Sequence, residues 1–350
     1  MGVTELVMSS DSRFIPVNVV TGFLGSGKTT LLQKLLHSPA LEDTAVLVNE
    51  FGEVGLDHHL LETATESTLL MDNGCLCCAI RGDVQDSLRD LFDRRERGEI
   101  PAFKRVIIET SGLADPVPIA YTILSEPVLQ HHFRLGNVIT TIDAVNGTKQ
   151  LAEFEEPVKQ VAVADRLIIT KGDLVEPFEV SDLRLALQRL NASAPVFDGN
   201  HDDLSPQRLI TEDLHDPSGK VQEIKHLMSS EAAGHEGHDH DGDHSHTSGV
   251  YSFSITFDDP LDWTAFGIWM TMLLNHYGDQ VLRIKGMLNV VNVQTPVLIN
   301  GVQHVVHPPV HLDHWPDEDR RSRLVFIVRD LDQDRIKASL AAFNGLGNAA

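Results

Sequence analysis

FIPVNVVTGFLGSGKTT, residues 14–30, carries an apolar, β-branched run into a glycine-rich turn and on into a leucine-rich amphipathic stretch. The turn spells G-x-x-x-x-G-K-T through Gly22, Gly27, Lys28 and Thr29, with Gly25 and Ser26 inside it and Thr30 just beyond. A strand, a glycine loop and a helix start in that order make a phosphate cradle. The glycines let successive backbone N–H groups face an anion, and the helix N-terminus favours negative charge. Lys28 then neutralises β- and γ-oxygens, and the Thr29 hydroxyl takes a Mg2+ position. The stretch predicts the first βα unit of an α/β nucleotide-binding domain.

Outward from it the alternation continues. TAVLVNEFG (44–52), FKRVIIETSG (103–112), GNVITTIDA (136–144) and ADRLIITKGD (164–173) each read as a buried strand running into a loop. Between them KTTLLQKLLH (28–37), VQDSLRDLFDRRERG (84–98), EPVKQVAVAD (156–165) and SDLRLALQRLN (181–191) have helical spacing of apolar residues. Strands alternating with helices predict a P-loop NTPase domain over 12–215 with a mostly parallel sheet and ligands at the carboxyl ends of its strands. The composition then changes. Residues 216–248 include GHEGHDHDGDHSHTSG, a His- and Asp-rich stretch with nothing to bury, and are expected to be a flexible linker. From 249 to 346 the order becomes strand, helix, three strands and helix, with TPVLINGVQHVVH taken as a single strand, which predicts a smaller α+β domain.

The chain has 350 residues, enough for two domains, and 28 Lys and Arg against 51 Asp and Glu give a net charge of −23. That field attracts neither nucleic acid nor an anionic membrane surface, whereas cations, metal ions among them, are drawn to it. No apolar run reaches the ~20 residues of a membrane span, and the first residues lack the pattern of a secretory leader, so a cytoplasmic location is expected. The three cysteines, Cys75, Cys77 and Cys78, all fall within NGCLCC (73–78). Thiols so close are poorly placed to bridge, and in a reducing compartment such a cluster points to metal or redox chemistry.

Two further motifs refine the nucleotide. RVIIETSG ends an apolar strand at Glu109, a second acidic group for Mg2+, with Gly112 three residues on to meet the γ-phosphate through its N–H. IITKGD places Asp173 at the end of a later strand, where a carboxylate accepts from both N1–H and the 2-amino group of guanine; adenine offers no such pair. Lys171 covers the ring with its aliphatic stem, and Thr170 stands where Asn is commoner. GTP is therefore the expected nucleotide. Asn49, Glu50, Glu53 and Asp57 of NEFGEVGLD lie between the two phosphate motifs, as do the thiols; Glu50, Glu53 and Asp57 are each candidates to position the attacking water. Glu50 or Glu53 is also a candidate to join two thiolates on a metal.

Taken together, GFLGSGKTT, NEFGEVG, NGCLCC, IETSGLADP and TKGD resemble the CobW-like GTPases of the CobW/HypB/UreG metallochaperone group. The resemblance extends through LRIKGML, GVQHVVHPP and SRLVFIVRD into the second domain. It implies a GTPase that binds Zn2+, or Co2+, through Cys75, Cys77 and Cys78 and delivers it to a client metalloprotein, with phosphate held by residues 25–30 and guanine by Asp173. Three thiolates leave one tetrahedral position open, which suits transfer rather than storage. GTP hydrolysis is expected to drive release, and a homodimer is left open. His235, His238, His240, His244 and His246 of the linker are expected to capture or buffer metal, whereas His304, His307, His311 and His314 are assigned structural or client-binding roles. A regulatory GTPase that senses metal without delivering it, and a P-loop small-molecule kinase, are the competing functions.

Overall fold

The computed structural model describes residues 14–48, 68–70, 76–79, 83–210 and 249–347, the segments 68–70, 76–79 and 346–347 by backbone alone. It divides into two compact units, residues 1–141 with 202–216, and residues 142–201 with 217–350.

In the first unit β1 (Ile15–Gly22) is buried along its whole length and α1 (Lys28–Leu36) starts directly after the glycine turn. β2 (Thr44–Val48), β3 (Thr68–Leu70) and β4 (Leu76–Ala79) follow, then α2 (Val84–Glu96), whose first turn is capped by the Asp83 carboxylate accepting from Gln85 N. β5 (Arg105–Glu109), α3 (Val117–Ser125) and β6 (Phe133–Asp143) complete the series, the last two residues of β6 opening the second unit. That unit continues with α4 (Gly147–Glu153), α5 (Glu155–Ala162), β7 (Arg166–Thr170), α6 (Pro177–Leu190) and β8 (Val196–Asp198). The short α7 (Pro206–Leu209) returns to the first unit.

The sheet order is β3-β4-β2-β5-β1-β6-β7-β8. Strand β1 pairs in parallel with β5 and β6, β2 with β4 and β5, and β7 with β8, while β3 against β4 is antiparallel. Strands covered on both faces are mainly apolar, and the runs at 15–22, 44–48 and 105–109 are buried throughout, with Asn18, Thr21, Thr44, Arg105 and Glu109 as their buried polar members. In β6 the uninterrupted burial from Leu135 to Asp143 includes Asn137, whose N–H donates to Asn18 Oδ1 at 2.9 Å.

After residue 249 the second unit holds an antiparallel sheet of β9 (Val250–Phe257), β10 (Val281–Leu288), β11 (Val297–Val302), β12 (Val305–Val306), β13 (Val310–His311) and β14 (Ser322–Arg329). Its order is β12-β11-β10-β14-β9, with β13 on β11. Helices α8 (Trp263–Tyr277) and α9 (Gln333–Gly347) share one core with it around Trp269, Phe266, Phe326, Ile336 and Leu340. Trp269 Nε1 donates to Ser339 Oγ at 2.9 Å and fixes one helix against the other. Arg283 of β10 donates to Val163 O at 2.8 Å and to the Asp165 carboxylate, and Lys285 Nζ lies 2.7 Å from the same carboxylate. All three side chains are buried.

Two sequence expectations change. TPVLINGVQHVVH is a hairpin, not one strand: β11 turns at Gln303, whose φ is 49°, and returns as β12. Helix α6 begins at Pro177, earlier than the apolar spacing suggested, because Pro occupies its first turn and Glu176 and Glu179 form a capping box. The local start signals outweigh the position of the first apolar repeat.

Candidate functional site

The glycine loop is shaped by what surrounds it. A Cβ on Gly22, at φ 142°, would lie 2.4 Å from Thr141 O and Oγ1 and 2.6 Å from Ser26 Oγ, so only glycine fits. The Ser26 hydroxyl is itself buried, 2.7 Å from Thr141 Oγ1, which donates to Thr21 O at 3.3 Å. Ser26 thus anchors the loop to β6 through its side chain. Gly25 and Gly27 are left-handed at φ 73° and 88°, and Gly27 is the N-cap of α1. Thr30 is exposed on the first turn.

Lys28 is buried, and its ammonium folds back along the loop, donating to Gly22 O at 2.9 Å and Phe23 O at 3.1 Å. Burial lowers its pKa, and the negative charge of Glu109 only partly opposes that. Thr29 Oγ1 donates to Glu109 Oε1 at 2.5 Å, joining the helix start to the end of β5. The register is locked one residue later, where Thr110 N donates to Val20 O at 3.0 Å and Thr110 Oγ1 to Thr21 Oγ1 at 2.8 Å. Gly112 lies flat against the loop: a Cβ there would sit 2.7 Å from Leu24 N. The chain brings a cation, a hydroxyl and a carboxylate together beside backbone that a phosphate can approach.

In the second unit Lys171, at φ 57°, turns the chain after β7 and leads into Asp173. Its Nζ lies 2.8 Å from Asp143 Oδ2, which also accepts from Asn146 Nδ2 at 3.1 Å, while Asp143 Oδ1 accepts from Val145 N at 2.8 Å. Burial pushes the Asp143 pKa upward, but these bonds, that of Lys171 foremost, outweigh it and leave the group below the usual carboxylate range. Thr170 Oγ1 donates to Ile142 O at 3.2 Å. Asp173 Oδ1 accepts from Asn200 Nδ2 at 2.9 Å. Asp143, Asn146 and Asn200 were not singled out from the sequence. For Asp143 and Asn146 a signal exists in TTIDAVNG, a buried strand ending in Asp with Asn three residues on; Asn200 carries none, because the contact joins separate stretches.

Cys77 and Cys78 lie on β4, opposite Val46 and Leu47 of β2. Cys75, Asn49, Glu50, Glu53, Asp57, His235, His238, His240, His244 and His246 fall outside the described residues. Among the described residues no group of three or more His, Cys, Asp or Glu is arranged to hold a metal. His304 sits in the turn of the β11–β12 hairpin, with Nδ1 3.1 Å from Leu274 O and Nε2 3.1 Å from Asp279 Oδ1; His307 is buried, while His311 and His314 are exposed. Among the described residues no helix is long and apolar enough to cross a membrane.

The family model for the CobW/HypB/UreG nucleotide-binding domain matches residues 16–198, and that for the cobalamin synthesis protein cobW C-terminal domain matches residues 250–344. The chain belongs to the CobW/HypB/UreG family. Within this family it is 35% identical to the Escherichia coli zinc chaperone YjiA over 327 residues, covering 93% of this chain and 98% of that protein. It is 32% identical over 212 residues to the Schizosaccharomyces pombe zinc-regulated GTPase metalloprotein activator 1, covering 57% of this chain and 50% of that one. The crystal structure of Zn(II)-bound YjiA GTPase from E. coli superposes with a TM-score of 0.69 at 30% identity, over 94% of this chain and 99% of that chain. The family's two-part architecture, a P-loop NTPase-like sheet with helices and a C-terminal antiparallel sheet, is the one described above.

Proposed function

We propose that the protein is a GTP-hydrolysing metallochaperone that takes up Zn2+ through Cys75, Cys77 and Cys78 and passes it to a client metalloprotein, with hydrolysis coupled to release. The observation that carries this reading is a ladder. Cys78 of β4 is in register with Leu47 of β2, Ile108 of β5 and Val19 of β1; the next row is Ala79, Val48, Glu109 and Val20. The thiol-bearing strand therefore ends at Ala79 in the same row as Glu109, two strand spacings or about 10 Å away, and Cys78 sits one residue before that row. A shift of β5 or its following loop with nucleotide state is felt by β4 through backbone hydrogen bonds. The zinc chaperones and Zn(II)-bound GTPase among its relatives support the same cargo.

Within this scheme residues 22–30 hold the phosphates. Lys28 is already aimed by the loop carbonyls, and on binding it exchanges them for phosphate oxygens. The Gly112 N–H approaches the γ-phosphate, and Glu50 is the proposed positioner of the attacking water. Asp173 accepts from guanine while Lys171, tied to Asp143, covers the ring. The Thr29 hydroxyl and the Glu109 carboxylate are hard oxygen donors already side by side, a fit for Mg2+, which when bound neutralises charge on the β- and γ-phosphates. Thiolates select Zn2+ over Mg2+, and Co2+ is the second cargo those donors suit. Residues 235–246 supply weaker imidazole ligands for capture. Reduced thiols fit a cytoplasmic setting.

The experiment pairs two readouts on the purified chain lacking residues 235–246. GTP turnover should be lost in Lys28→Ala, and one tightly held Zn2+ per chain should be lost in Cys77→Ala, with transfer to an apo-metalloprotein seen only for the unsubstituted cysteines. Retained zinc in Cys77→Ala, or no GTP turnover in the unsubstituted chain, contradicts the proposal.

A further inference from the structure

Asp173 is held by a residue outside the nucleotide motifs. Where β8 ends, Gly199 N donates to Ile169 O at 2.7 Å, and a Cβ on Gly199 would lie 2.8 Å from that oxygen, so the turn is laid against the end of β7. Asn200 N then donates to Asp198 Oδ1 at 2.9 Å, which fixes the backbone, and Asn200 Nδ2 reaches Asp173 Oδ1, also at 2.9 Å. Both residues are exposed. Packing therefore does not orient the carboxylate; the amide does. Thr170, in the position where Asn is commoner, donates its hydroxyl to Ile142 O at 3.2 Å.

We propose that Asn200 is the positioning residue for guanine recognition, orienting Asp173 so that its two oxygens meet the N1–H and the 2-amino group together. The proposal rests on the assignment of Asp173 to guanine. A carboxylate oxygen has two acceptor sites, so one bond from Asn200 leaves Oδ1 able to accept again and leaves Oδ2 untouched. What the bond removes is rotation of the carboxylate plane. A single contact to N1–H tolerates that rotation; simultaneous contact to N1–H and the 2-amino group does not. The benefit of Asn200 is therefore specific to a base with both donors. Hypoxanthine keeps N1–H and lacks the 2-amino group, which makes inosine nucleotides the informative comparison.

Dissociation constants for GDP, IDP and XDP are measured on the full chain, by displacement of a fluorescent nucleotide, for wild type, Asn200→Ala and Asp173→Asn. In Asn200→Ala, GDP should bind roughly 3- to 10-fold more weakly, the effect of a carboxylate left free to rotate with no contact to the base deleted, while IDP changes little, so the GDP preference over IDP shrinks by about the same factor. An Asn200→Ala variant that weakens both equally, or neither, overturns the role of Asn200. Asp173→Asn tests the underlying assignment, because its amide donates to the xanthine 2-oxo group. A switch of preference toward XDP upholds Asp173 as the guanine acceptor even if Asn200→Ala leaves the GDP to IDP ratio unchanged. No switch overturns the assignment and the inference with it.

Discussion

Lys28 and the Thr29–Glu109 pair are positioned by groups of the protein itself. The ammonium is held over the loop by Gly22 O and Phe23 O, and the hydroxyl and carboxylate are in contact. Charge-assisted bonds of this kind are worth about 1.5–3 kcal/mol each, so Lys28→Ala should weaken GDP binding by roughly 10- to 150-fold, read by equilibrium titration. Asp143 gives a pH-dependent prediction. Its pKa is lowered in the folded protein, against the raising effect of burial, by bonds from Lys171, Asn146 and Val145. A carboxylate depressed in this way stabilises the fold above its unfolded pKa, about 4, and that stabilisation is lost as pH falls through the lower folded value. Asp143→Asn should therefore be less stable than wild type in urea at neutral pH, with the gap closing only below about pH 4. A gap that instead closes near neutrality would place the effect on another group. At this scale the phosphate loop was legible because spacing alone specifies it. Asn200 was not, since its contact joins strand ends 27 positions apart.

Among the elements, the continuous ladder β4-β2-β5-β1 links the thiols to the phosphate motifs. Strands β1, β2, β5, β6 and β7 were legible as apolar runs rich in β-branched residues, a consequence of burial on both faces, whereas β3, β4 and β8, of three or four residues each, were not read as strands. Helix α3 was missed because VPIAYTILS is apolar on most sides and lacks a clear period, and the β11–β12 hairpin because Gln303 turns the chain without Gly or Pro. A second consequence of packing is the buried cluster Asp165, Arg283 and Lys285, which ties β10 to the loop entering β7. Removing the single carboxylate leaves two buried cations uncompensated. Asp165→Leu should lower the unfolding free energy by about 3–5 kcal/mol in a denaturant titration, whereas a surface pair such as Lys104–Asp43 should change it by no more than ~1 kcal/mol when broken.

For the whole molecule, a net charge of −23 favours encounter with cations, but it does not distinguish capture from release. That distinction comes from linkage. If the GTP-bound chain holds Zn2+ more tightly than the GDP-bound chain by some factor, Zn2+ must favour GTP binding by the same factor, and couplings of ~1–3 kcal/mol correspond to roughly 5- to 150-fold. A second run of strands after the change of composition near residue 215 was legible as the C-terminal antiparallel sheet, whereas the compact units also divide at residues 141 and 202, a grouping set by tertiary contacts that no local pattern encodes. The decisive measurement is Zn2+ affinity by competition with a chromophoric chelator, in Mg2+ with either GDP or a non-hydrolysable GTP analogue, using the chain lacking residues 235–246 and the same chain carrying Cys77→Ala. Coupled release predicts a tight site whose affinity differs about 5- to 150-fold between the two nucleotide states and which Cys77→Ala abolishes. Equal affinity in both states would contradict it.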